Sequence, residues 1–552
     1  MTDGAWSPLE PPYDPEFDHQ HQDQNEPPDY LDAPFRDVAP NAPTPAEPVT
    51  QKQGRGPTQS AELVEMAKAL YRVVKSTEGK IYAVKHDLPG IALDLRGKAG
   101  LRQQLAALYY ERKKRTVSDT ALKEMLNVLE GDALAAQEEA VFLRFADNGT
   151  GTVFIDLGTP DGQAIAITAT GWEILDSPPV LFRRSNLMSP IPLPSKTGNL
   201  DGLRRLINVS DSGFRLLVGW MVAACIPDIP HPFLALVGQQ GTAKTTALKM
   251  LITMVSPSPS PVGSAPTTPD DWAVNAYQEP VIGLDNISNL APWFQDALCK
   301  AVTGDGYKKR EKYSDSESTV LQFKRVIGMT SIDPGSLQGD VSDRLLLVEL
   351  DPIPKTGRRT EKDVANEFEQ VRQSAHGAIL DLLSKVLSVL PSIYLEEMPR
   401  MADFARVLAA LDQVTGWQTL PDYLNATTTA AADVIEGNLF ASAIRDLIMT
   451  HGVWKGTATE LLTEISPSHP PRNWPKTASK AAGDLRRNIP ALASLGIIFT
   501  ALDRTAGQKR FVLSKKDIQL CPSCSTEISQ VLLTQGIQIH PGCTAPQELF
   551  AK

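Results

Sequence analysis

The stretch Leu236–Thr246, LVGQQGTAKTT, decides the fold. A turn that holds nucleotide phosphates reads G-x-x-x-x-G-K-[ST]; here Ala243 stands at the second glycine, followed by Lys244 and Thr245. The residues before it, Phe233–Val237 (FLALV), are a buried-strand pattern, and the run from Thr245 (TTALKMLITMV) has helical character. Strand, Gly-rich turn, Lys-Thr and helix is the context in which such a turn binds phosphate. ATP is therefore expected on Gly238, Gln239, Gln240, Gly241, Thr242, Ala243, Lys244, Thr245 and Thr246. Main-chain N–H groups would hold the β- and γ-phosphates, Lys244 would neutralise charge, and the Thr245 hydroxyl would ligate Mg²⁺. The Ala243 methyl matters only if that residue needs a positive φ; a helix-entry conformation accepts it.

Three further pieces follow in order. In PVIGLDNIS, Val281–Leu284 form an apolar strand with Asp285 at its end, the second Mg²⁺ ligand. Its neighbour is Asn286, where a glutamate would polarise the attacking water. An amide orients water but takes no proton, so Asp285 does both tasks, hydrolysis is slow, or a carboxylate arrives from elsewhere. The FKRVIGMTSID strand ends at Thr330 and Ser331, placed to touch the γ-phosphate or the water. GDVSDRLLLVELDPI sets Arg344 before another apolar strand. From there it would reach the γ-phosphate of a neighbouring subunit, or else pair structurally with Asp343 or Asp340. Lys244, Asp285, Asn286, Thr330 and Arg344 form the expected catalytic set.

Between the Asp285 and Thr330 strands lies YKKREKY, which places Lys308, Lys309, Arg310 and Lys312 on a short strand before the SDSES turn. A charge run is ordinarily a solvated face. This position favours contact with a phosphate backbone, with the tyrosines stacking on bases or joining the core. Taken together, the four pieces resemble the AAA+ core of superfamily-three helicases of the phage, plasmid and poxvirus primase–helicase type. Ala301–Pro334 carries the resemblance most specifically: a glycine-rich turn, a basic hairpin with a tyrosine, and an F-K strand leading to the sensor position. The resemblance covers residues 200–355 well and the rest more loosely. It implies a hexameric, ATP-driven ring that pulls single-stranded DNA through its channel, encoded by a phage or integrated mobile element and working in the cytoplasm of a bacterial host. Ala243, Asn286, and Thr330 (usually Asn) depart from the family pattern.

The rest of the α/β chain is read by composition. The net charge of −11 is uneven: residues 1–58 are acidic and Pro-rich, too poor in large aliphatics to bury a core, and are expected to be a disordered tail able to dock replication partners. Residues 59–198 form an α+β module. AELVEMAKALYRVV, LRQQLAALYYERKK and ALKEMLNVLEGDALAA are its helices and short strands follow, with no ligand cluster or Asp-x-Asp pair to make a primase centre. Residues 199–356 are the AAA+ core and 357–437 a helical region. Residues 438–515 read as a winged helix, three helices then two strands. Its third helix carries Lys476, Lys480, Arg486 and Arg487, and its wing Arg504, Lys509 and Arg510, for duplex DNA or else for protein contacts.

In residues 516–552, CPSC and HPGC offer Cys521, Cys524, His540 and Cys543 for a structural, tetrahedral Zn²⁺. Cys225 and Cys299 sit in apolar surroundings and read as core. The acidic first residues predict no secretory leader, and the longest apolar run, Leu216–Ile226, is too short to span a bilayer. Two other readings compete with the helicase. One is an origin-binding or loader ATPase switched by ATP without unwinding; the other is a defence or remodelling ATPase acting on protein.

Overall fold

The computed structural model describes residues 57–516 apart from 98–99, 288–289, 305–306, 311–317, 322, 332–340, 342, 472–473 and 503–508, together with 518–519, 521 and 543. The tail expected over residues 1–58 thus lies almost wholly outside the described residues.

The first module opens with the Gln59–Leu70 helix, capped by the Thr58 hydroxyl accepting from the Ala61 N–H. The helical pattern read through Val74 stops at Leu70. Tyr71–Ser76 is strand β1, pairing antiparallel with β2 (Ile81–Lys85), which pairs with β3 (Ile91–Asp94). The β-branched pair Val73-Val74 fits a pleated surface better than a helix, which is why propensity and packing end the helix there. Short β4 (Glu138–Glu139), β5 (Val141–Phe142) and β10 (Leu181–Arg183) complete a six-stranded sheet, β4-β1-β2-β3-β10-β5. The helices Leu101–Lys113 and Asp119–Leu134 cover it with the first helix, through Leu63, Leu105, Met125 and Leu126.

A four-stranded antiparallel meander is inserted before β10: β6 (Phe145–Asp147), β7 (Val153–Asp156), β8 (Ala164–Thr168) and β9 (Gly171–Leu175). Its Val153, Ile155, Ile165 and Ile167 belong to the large central core, with Trp220, Leu248, Leu380 and Leu411. The run read as a buried helix is the Asp211–Ala224 helix, enclosed on all sides from Leu216 to Ala224, as expected for a helix apolar all round.

A parallel sheet forms the centre, in the order β12 (Val281–Ile287), β15 (Val326–Ser331), β11 (Phe233–Val237), β16 (Leu345–Glu349). Its inner strands are continuous apolar runs because both faces are covered. In the basic segment β13 (Tyr307–Arg310) pairs antiparallel with β14 (Ser318–Leu321); Lys312 and most of the expected SDSES turn lie outside the described residues, and Ser318 belongs to β14. Three helices follow, Glu361–Val389, Ala402–Thr415 and Thr419–Gly437, the first capped by Thr360.

The last unit has its own core of Phe440, Ile444, Trp474, Leu485, Leu492 and Phe511, among others. Its order is helix Leu439–His451, β17 (Val453–Thr457), helix Ala458–Ile465, helix Ala478–Ser494, β18 (Ile497–Ala501) and β19 (Arg510–Lys515). β17 is an addition to the three helices and two strands read from sequence. It pairs with β19, giving a β17-β19-β18 sheet. Among the described residues, no helix is long and apolar enough to cross a membrane.

Candidate nucleotide site

The loop after β11 folds back over its own strand. Gly238 has φ +141°, and a Cβ there would meet the Leu350 carbonyl oxygen at 2.8 Å, so only glycine fits. The buried Thr242 hydroxyl donates to the Gln239 carbonyl at 3.0 Å and closes the turn. Lys244 opens the helix to Val255, and its Nζ donates to the carbonyls of Gly238 (2.7 Å) and Gln239 (3.0 Å). The ammonium is thereby held over the loop.

Ala243 corrects one expectation. It lies in the left-handed region, φ 59° and ψ 33°, as the residue preceding the helix, not in a helix-entry conformation. A residue bearing Cβ costs roughly 1–2 kcal/mol there relative to the right-handed region. The departure from glycine is therefore a strained position within the loop.

Two strands and the loop helix bring the acid–hydroxyl cluster together. The Thr245 hydroxyl donates to Asp285 Oδ1 at 2.8 Å, and the Thr330 hydroxyl donates to the same oxygen at 2.6 Å. Thr330 Oγ1 in turn accepts the Asn286 N–H at 2.8 Å. The neighbouring parallel strands β12 and β15 make this possible, with Leu284 opposite Met329 in the register. β12 does not stop at Leu284, as read from sequence; it runs to Ile287 through an irregularity between Leu284 and Ile287. At that irregularity Asn286 has φ 56°, a conformation asparagine tolerates better than most residues. Backbone geometry thus accounts for an asparagine where a glutamate would be strained. Ser331 is buried, and its hydroxyl donates to the Ile287 carbonyl at 2.8 Å.

Arg344 precedes β16; its carbonyl accepts the Phe233 N–H at 2.7 Å, and its side chain is buried. Asp343 lies 3.7 Å from Arg400. A cavity of about 200 Å³ adjoins the loop helix, lined by Arg205, Asn208, Thr246, Met250, Arg359 and Val364, among others. Asn208 is fixed there by donating to the Asp351 carbonyl. Apart from Thr246 of the loop and Met250 of its helix, these wall residues come from segments far apart in the chain and carry no motif, so no sequence signal marks them.

Of the other expected site residues, Lys308, Lys309 and Arg310 lie on β13, while Lys312 and Arg504 fall outside the described residues. Lys476 is exposed but precedes the Ala478–Ser494 helix and its Thr477 cap, so it is not on the third helix as expected; Lys480 is exposed in the first turn, and Arg486 and Arg487 further along. Arg487 pairs with Asp484, and Arg510 lies 3.7 Å from Glu460. Lys509 is exposed at the start of β19. Cys521 is buried and Cys543 half-buried, whereas Cys524 and His540 lie outside the described residues. Cys225 and Cys299 are buried in the central core; burial pushes the Cys225 thiol up to about 12.

Residues 200–433 match the family model of the actinomycete integrative conjugative element replication protein. The chain is similar to a mobile-element replication protein. Residues 440–523 match the C-terminal domain of the same replication protein, RepA. The matched span includes the loop, Asp285, Thr330 and Arg344. No curated protein is significantly similar in sequence. Among solved structures, the apo C-terminal region (305–718) of NrS-1 is 12% identical, covering 83% of this chain and 100% of that one at a TM-score of 0.34. JCV helicase is 13% identical over 42% of this chain and 66% of that one, with a TM-score of 0.20.

Proposed function

We propose that the protein is an ATP-dependent DNA helicase or translocase that serves replication of its mobile element. The observation that carries this reading is the shared oxygen of Asp285, joined at once to Thr245 and Thr330. A loop lysine, a helix-opening threonine and a strand-end carboxylate fit Mg²⁺ and the phosphates of ATP. Thr245 and Asp285 would hold the metal, and Lys244 would leave its carbonyl partners for the phosphates. When bound, Mg²⁺ would neutralise charge developing on the transferred phosphoryl group. The cavity beside the loop has the position and size for the nucleoside end.

The sheet order, with the loop strand between the Thr330 and Arg344 strands, supports an AAA+ core of the superfamily-three type. A hexameric ring follows from that reading, with Arg344 serving a neighbouring site and Lys308, Lys309, Arg310 and Lys312 tracking single-stranded DNA. The helix–strand–helix–helix–strand–strand unit is read as a winged helix, offering Lys476, Lys480, Arg486, Arg487, Arg504, Lys509 and Arg510 to duplex phosphates. Cys521, Cys524, His540 and Cys543 are read as a structural Zn²⁺ site, and cytoplasmic work on host DNA completes the proposal.

Asn286 favours a second reading, an origin-binding or loader ATPase in which slow hydrolysis times a switch. Lys244→Ala separates function from fold: ATP turnover and displacement of a forked duplex should fall together, by at least about a hundredfold. Unwinding retained without ATP turnover would sink the motor. Turnover stimulated by single-stranded DNA without displacement would select the switch.

A further inference from the structure

A crevice of about 360 Å³ opens where the first module meets the start of the central sheet. Its walls include the cations Arg144, Arg183, Lys324 and Arg325 and the carboxylates Glu78 and Asp228. Among the described residues, the side chains of these four cations hydrogen-bond to carbonyls and a hydroxyl instead of to carboxylates. Arg144 donates to the carbonyls of Asp156 and Ser189, both at 2.8 Å, and to the Ser256 hydroxyl. Arg183 donates to the Tyr277 carbonyl at 2.8 Å and stacks on that ring, 3.9 Å from its centroid. Arg325 donates to the carbonyls of Ala276, Lys324 and Tyr277, and Lys324 to that of Asp228. Glu78 instead accepts the Tyr277 hydroxyl at 3.4 Å.

Four cations against two carboxylates leave the crevice lining with an excess of positive charge, although Glu78 acts on Arg325 and Asp156 on Arg144. Their crowding has a visible cost: burial and the neighbouring Arg183 push the Arg325 guanidinium down to about 9. Like charges held together in partly buried surroundings are relieved by an anion. The ATP phosphates cannot supply it. The crevice borders Val326, the first residue of β15, whereas the phosphate loop follows the last residue of the parallel strand β11. The polypeptide that reaches the crevice is the end of the basic hairpin: β14 closes at Leu321, and Phe323, Lys324 and Arg325 line the wall.

We propose that this crevice binds a phosphate of the nucleic-acid strand engaged by the β13–β14 hairpin, contacted by Arg183 and Lys324, which are half-buried and orientated by main-chain carbonyls. The DNA-translocation reading above underlies it. The crevice would extend the strand's path from the hairpin onto the first module, giving that module a role in gripping DNA.

The test is the salt dependence of binding of a fluorescein-labelled oligothymidylate to the full chain. Each phosphate contact on a single strand contributes about 0.7 to the slope of log affinity against log salt. The Arg183→Gln, Lys324→Gln pair should lower the slope by about 0.7, since both cations serve one phosphate, and Lys324→Gln alone by part of that. Arg183→Lys, which keeps the charge but loses the fork, should keep the wild-type slope. Gln variants with the wild-type slope would overturn the proposal, as would an Arg183→Lys variant that loses slope as Arg183→Gln does. A wild-type chain that fails to bind the oligonucleotide would overturn the DNA reading itself.

Discussion

Ala243 shows how one methyl reports on a backbone. Its φ of 59° belongs to glycine's territory, so the loop holds a conformation that its sequence resists. Ala243→Gly should raise the thermal unfolding midpoint, by an amount equivalent to at most about 1 kcal/mol. A fall would show that the left-handed backbone is not costly there. Thr330 does different work: its hydroxyl donates to Asp285 and accepts from the Asn286 main chain. Thr330→Val removes a bond to a charged group, worth about 1.5–3 kcal/mol. The Mg²⁺ concentration for half-maximal ATP turnover should then rise about tenfold or more, and Thr330→Ser should restore it. An unchanged Mg²⁺ requirement would remove Thr330 from the site. That Thr245 and Asp285 would meet was legible from the order of the segments, a helix-opening threonine and a strand-end carboxylate. The left-handed turns at Ala243 and Asn286 were not, since φ is set by tertiary closure of the loop and by the irregularity in β12.

Among the elements, strands with strong local patterns were readable. Phe233–Val237 emerged with the bounds read from sequence, and the two strands of the basic segment pair with each other. β1 and β17 were not, because each follows a helix directly and its few apolar residues continue the helical period. Helices carry a pH consequence as well. His231 lies between the Asp211–Ala224 helix and β11, its Nε2 2.8 Å from the Ala223 carbonyl; burial and Lys324 push it down to about 4, against Asp403. His376, buried in the Glu361–Val389 helix, is pushed down to about 4 by burial, Arg372 and Arg144. Both folded values lie below the unfolded value, so the unfolded chain binds more protons between about pH 6.5 and 4. Stability is therefore full above that window and falls as the pH drops through it. Urea midpoints measured from pH 7 to pH 4 should fall, and His376→Phe should make the decline shallower. Equal declines would exclude His376 as a source.

For the whole molecule, the distribution of apolar contacts separates parts that the linear sequence joins. The meander's Val153, Ile155, Ile165 and Ile167 share a core with Leu380 and Leu411, more than two hundred residues away in the chain. The last unit's core draws one residue from outside it, Ile435 of the Thr419–Gly437 helix. Residues 419–516 expressed alone should therefore melt cooperatively, whereas residues 57–198 alone should show rapid amide exchange over β7 and β8. Protection of those strands in the isolated fragment would contradict the shared core. Such long-range sharing leaves no periodic trace, which is why the module looked self-contained from sequence. One helix ties the two ends of this arrangement together. The Glu361–Val389 helix lends Glu361 and Val364 to the cavity beside the phosphate loop. Further along, Asp381 accepts from the Trp172 indole at 2.8 Å, and the Ser384 hydroxyl donates to the Thr168 carbonyl at 2.7 Å. Its 29 residues make a rod about 44 Å long. A rod held at both ends joins them: a shift of the helix at the cavity has to be taken up by the meander or by bending of the helix itself.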